Sequence, residues 1–114
     1  MRRVKKGTLV VITPDGTVTS EPLITGGRLQ QLQRAVGGGN RRAMIAPTIV
    51  RYEDHEREAF VDENGERLKL RINRKATRLL TRPETFANRV VLGNIAIIVP
   101  EAKARVSEPG TART

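Results

Sequence analysis

The 114-residue chain has no cysteine, which excludes disulfides, iron–sulfur clusters, thiolate zinc sites and a cysteine nucleophile. It has no tryptophan either, and Tyr52, Phe60 and Phe86 are its only aromatic residues. With at least two of these needed for a core, a protein that stacks single-stranded bases on aromatic platforms is not expected. The one histidine, His55, lies among Glu53, Asp54, Glu56 and Glu58. An imidazole amid carboxylates can join an oxygen-rich metal site, but a lone one in an acidic loop reads as incidental, so neither a metal nor a cofactor is expected. No Ser/His/Asp grouping has credible spacing, and Asp62 and Glu63 beside a turn read as ordinary ionised carboxylates. The chain reads as non-enzymatic. No apolar run approaches the ~20 residues that cross a bilayer, and MRRVKK leads into no secretory core, so a soluble cytoplasmic protein with no membrane partner is expected.

Acidic side chains are also scarce. Twelve Asp and Glu stand against 21 Lys and Arg, a formal net charge of +9. On so small a chain that surplus creates a field that draws in polyanions, so nucleic acid or another phosphate-bearing partner is indicated.

The length fits one domain that buries roughly two thirds of its unfolded surface. Residues 1–6 read as a flexible basic arm, 7–101 as the domain and 102–114 as a polar flexible tail. TLVVIT (8–13) is β-branched and apolar, PDG (14–16) supplies a turn, and TVTSEPL (17–23) completes a hairpin whose Pro22 suits a sheet edge. Thr25 is the expected N-cap of GGRLQQLQRAV, with Leu29, Leu32 and Val36 on an apolar stripe and Gln30, Gln31, Gln33 and Arg34 opposite. Gly37, Gly38 and Gly39 end that helix. AMIAPTIVRY (43–52) and REAFVDENGERLKL (57–70) read as strands, the second folding back at Asn64-Gly65 in a type I′ turn, with EDHERE a solvated loop or strand end between them. Asn73 caps a short helix that Pro83 stops near Thr81. RVVLGNIAIIV (89–99) is the expected central, doubly buried strand. The order predicts an α+β fold: a mainly antiparallel sheet of five or six strands with two short helices packed on it. An exposed edge on such a sheet invites homo-oligomers.

Arg71, Arg74, Lys75, Arg78 and Arg82 recur at near-helical spacing opposite Ala76, Leu79 and Leu80. Either they grip phosphate, helped by backbone N–H groups at Asn73, or they are the solvated side of a packed helix. Arg2 and Arg3 in the arm could follow a phosphate backbone or simply aid solubility. GGGNRR (37–42), with Arg41 and Arg42, allows an anion nest, but it lacks the Gly-Lys-Ser/Thr ending of a P-loop and follows a helix, which favours a plain helix stop.

The stretches LVVITPDG, LQQLQRAVGGG, VDENGERLKL, NRKAT and VVLGNIAIIV, in this order across residues 8 to 99, resemble a phage and mobile-element family, the domain-of-unknown-function family numbered 3846. The most specific elements are Asp62, Glu63 and Gly65 followed by Asn73, Ala76 and Thr77; Gly37, Gly38 and Gly93 add to them. The chain departs at Arg71-Ile72, where the family tends to Leu-Pro, at Asn94, where it tends to Asp, and in a longer, more basic loop from Gly39 to Ala46. The resemblance implies a setting, an accessory protein in a bacterial cytoplasm, and no reaction. In that setting Asn73 and Thr77 either bind a ligand or tie their helix to the Asn64-Gly65 turn.

The expected function is binding of an anionic partner, nucleic acid first, through Arg71, Asn73, Arg74, Lys75, Thr77, Arg78, Arg41, Arg42, Arg2 and Arg3. The alternative is a counter-defence protein that inhibits a host protein or sequesters a nucleotide signal.

Overall fold

The computed structural model describes residues 7–24, 26–39, 41–81 and 90–100. The branched run at the start forms β1 (Thr8–Ile12), and the Pro-Asp-Gly turn returns the chain as β2 (Val18–Pro22). Gly16 takes φ 90° there, donating its N–H to the Thr13 carbonyl at 2.9 Å, a backbone position that side chains resist. Next come α1 (Arg28–Val36), β3 (Ile45–Tyr52), β4 (His55–Asp62), α2 (Arg74–Thr77) and β5 (Ile95–Val99). The five strands form one sheet in the order β2-β1-β5-β4-β3, each pair antiparallel. The fold is therefore α+β, and β5, the most apolar strand, is in the middle.

Alternation along the strands divides the core in two. Leu9 and Val11 of β1, Ala96 of β5 and Phe60 of β4 face α1, meeting Leu32 and Val36, with Leu23 and Ala43 closing the cluster. Val10, Ile12, Val50, Ala59, Ile95 and Ile97 face the other way, covered by Ala76 of α2, Val91, Leu79 and Leu80. The two helices thus lie on opposite faces of the sheet. Burying one of these Leu, Ile or Val side chains contributes about 1.5–3 kcal/mol relative to exposure, so both faces are needed for the domain to hold.

Prolines mark both edges. In the β1–β2 ladder, Thr13 N–H bonds the Thr17 carbonyl and Leu23 N–H bonds the Gly7 carbonyl. Odd-numbered residues of β2 therefore point their backbone groups at β1, and Pro22 occupies an outward position where no N–H is missed. Pro47 does the same on β3, whose outer side is partly covered: Arg51 N–H donates to the Leu79 carbonyl at 2.7 Å, and Leu80 bridges Val50.

Several local expectations are corrected. α1 begins at Arg28 with Gly27, not Thr25, at the N-cap and no side-chain cap; Thr25 itself lies outside the described residues. Leu29 is 58% exposed while Gln31 is 4% exposed, because Gln31 accepts Ile24 N–H and donates to the Glu21 carboxylate and the Pro22 carbonyl. The β3–β4 turn is Glu53-Asp54, with φ 54° and 67°, so His55 to Glu58 already belong to a strand. β4 stops at Asp62, and residues 63–69 are turns, without the Asn64-Gly65 hairpin or the strand after it. Gly65 packs tightly here: a Cβ would approach Leu92 Cβ to 3.0 Å, so Leu92 would have to give way by a few tenths of an ångström. The second helix is one turn long, and residues 79–81 leave it to pair with β3. The last strand starts at Ile95, because Gly93 takes φ 81° and Leu92 bridges Ile72. The arm, Pro83, Phe86 and the tail lie outside the described residues.

Candidate anion-binding surface

α2 has only four residues, too few to hold itself together by helix propensity. Asn73 holds it. Its side chain is fully buried; Nδ2 donates to the Ile12 carbonyl at 2.8 Å and the Gly93 carbonyl at 2.9 Å, and Oδ1 accepts Ala76 N–H at 3.1 Å. Its backbone N–H donates to the Val91 carbonyl at 2.7 Å. Thr77 completes the arrangement: its hydroxyl donates to the Asn73 carbonyl at 2.8 Å and accepts Val91 N–H at 2.9 Å. Each buried polar group finds a partner, as an interior requires. Asn73 and Thr77 are consequently not anion ligands. They tie α2 to the ends of β1 and of the segment before β5, not to the Asn64-Gly65 turn.

On this anchored turn Arg74, Lys75 and Arg78 are exposed, and Arg71 is exposed just ahead of it. None of the four forms an ion pair among the described residues. They do not make one long helical stripe, since Arg71 precedes the cap and Arg78 is the C-cap; Arg82 lies outside the described residues. Arg71 lies toward the β1–β2 turn, where its charge is a minor influence on Asp15. The pKa of Asp15 is lowered to about 2, chiefly because the Thr13 hydroxyl and then Thr17 N–H donate to its carboxylate.

Arg41 and Arg42 lie with the other helix. A shallow concavity of 180 Å³ is lined by Gln30, Arg34, Gly39, Arg41 and Arg42, and Arg34 and Gln30 were not foreseen as members. Arg41 is committed elsewhere: its Nη2 bonds Asp62 Oδ2, the one ion pair among the described residues, and the Asp62 side chain is 1% exposed against 39% for Arg41. Asp62 also accepts Asn64 N–H at 2.8 Å, an Asx turn legible in the Asp-x-Asn spacing. The glycine run forms no free nest, because Gly37, Gly38 and Gly39 N–H bond the Gln33, Ala35 and Arg34 carbonyls. The concavity therefore lies at the C-terminal, negative end of the α1 dipole, a poor place for an anion. Arg41 is thus held by Asp62 while staying partly exposed, Arg42 stays exposed on the α1 face, and Arg2 and Arg3 lie outside the described residues. The cations thus divide between two faces and do not converge on one concavity.

His55 is exposed at the start of β4, and no group of three His, Asp or Glu side chains gathers among the described residues. Tyr52 and Phe60 pack against the two cores. No helix among the described residues is long and apolar enough to cross a membrane. Comparison with protein-family models, curated proteins and solved structures gives no match to this chain.

Proposed function

We propose that this chain is a non-enzymatic accessory protein of the phage or mobile-element kind, acting in the bacterial cytoplasm by binding nucleic acid through Arg71, Arg74, Lys75 and Arg78. The observation that carries this reading is the pairing of rigidity with unspent charge. These four cations are exposed and without ion pairs among the described residues, on a turn fixed by the buried Asn73. An anchored backbone has no ordering left to do on meeting a polyanion, so binding costs less conformational freedom than it would from a mobile segment. The net charge of +9 supplies long-range attraction, and Arg2 and Arg3 would add phosphate contacts from the arm. The shortage of aromatic side chains favours backbone contacts over base stacking, so weak sequence preference is expected.

A mobility-shift titration of the full chain with duplex DNA tests it. Binding should strengthen steeply as salt is lowered and weaken when Arg74 and Arg78 are both replaced by Ala. Absent or salt-independent binding removes the proposal. Capture of one stoichiometric host protein that survives nuclease treatment would then favour the counter-defence alternative.

A further inference from the structure

We infer that two copies of this chain pair edge to edge through β2, antiparallel about a two-fold axis at Thr19. All five residues of β2 are exposed. Its outward backbone groups belong to the even positions, and among the described residues the N–H and C=O of Val18 and Ser20 have no hydrogen-bond partner. The opposite sheet edge is occupied by residues 79–81 and interrupted by Pro47. Natural edges that must stay single carry lysines, other charges or prolines; in β2 the charge and the proline, Glu21 and Pro22, are confined to one end and leave Val18 to Ser20 open. Here a chain with 21 Lys and Arg places none of them between Lys6 and Arg28.

Pro22 selects the register. Centring the pair on Ser20 would set Val18 against Pro22, which has no N–H to give and whose carbonyl already accepts from Gln31. Centring it on Thr19 sets Val18 of each copy against Ser20 of the other, and every open N–H and C=O at those positions is satisfied reciprocally. Glu21, the strand's only charge, then faces Thr17, so no like charges meet. The two-fold axis is perpendicular to the sheet, so both α2 turns come to one face and both α1 helices to the other. The groove of 330 Å³ beside β2, whose lining includes Thr19, Glu21, Gln31 and Arg34, would meet its twin across the axis.

Pairing through β2 is independent of nucleic-acid binding and responds oppositely to salt: screening the repulsion between two copies of charge +9 tightens the pair, whereas polyanion binding weakens. The absence of cysteine makes the test direct. Thr19 would face its own copy in a non-hydrogen-bonded pair, at a Cα separation that a disulfide spans. The full chain carrying Thr19→Cys, oxidised with diamide, should give a covalent dimer far faster than Val18→Cys or Ser20→Cys. Sedimentation of the unsubstituted chain into the high micromolar range should show a dimer that grows with added salt. Ser20→Pro, which removes only an outward N–H, should abolish it while leaving the circular dichroism spectrum unchanged. A monomer at every concentration, or equal cross-linking from all three positions, overturns the inference.

Discussion

Asn73 matters because its amide matches its surroundings group for group: two protons meet two buried carbonyls, and one oxygen meets a buried N–H. Asn73→Asp keeps the shape and replaces the donor with a second acceptor aimed at the Ile12 and Gly93 carbonyls. The expected cost is about 3 kcal/mol, read as a lower denaturant midpoint; an unchanged midpoint would show that the network does not hold α2. Asp15 gives a pH prediction. Its folded pKa of about 2 lies below the ordinary value of about 3.9. The stabilisation of the β1–β2 turn is therefore full above about pH 4 and is lost as pH falls toward about 2. Titration of the Asp15 carboxyl by NMR should give a midpoint near the lower value, and one near 4 would contradict the Thr13 and Thr17 hydrogen bonds. Both residues were conspicuous in the sequence as a cap and a turn. Gln31 was not, because glutamine on a helix reads as solvent-facing until the chain before the helix folds over it.

Strand β1, the turn at 14–16, β2 with its edge proline and the central place of β5 were legible because local preference and burial agree there. The failures fall where long-range pairing overrules local preference. Asn64-Gly65 has the strongest hairpin signature in the chain, yet the chain turns at Glu53-Asp54, where pairing of eight-residue strands on either side offsets two unfavourable backbone conformations. The short helix expected from Asn73 to about Thr81 is a single turn, because residues 79–81 pair instead with the edge of β3. The link between α1 and β3 depends on Arg41 and Asp62, far apart in sequence and unpredictable as a pair. Arg41→Ala leaves a buried carboxylate without its cation, and we expect a loss of about 2 kcal/mol, discounted for the partial exposure of the arginine. Asp62→Asn in the same chain should recover most of it, because Asn can still accept Asn64 N–H. A single variant as stable as the original would show that the ion pair contributes nothing.

For the whole molecule, the charge surplus was evident in the composition, but its distribution was not. The sheet separates the cations after Asn73 from those after α1, and the C-terminal dipole end together with Asp62 makes the second group the poorer anion site. The most direct measurement compares the two faces in one assay: fluorescence anisotropy with duplex DNA over a salt series, for Arg74→Gln/Arg78→Gln against Arg34→Gln/Arg42→Gln. Removing one cation that neutralises a phosphate should reduce the slope of log affinity against log salt by about 0.9. A flatter slope is predicted for the first pair and a nearly unchanged slope for the second. Equal reductions from both faces, or a larger reduction from the α1 face, would contradict binding through the α2 turn.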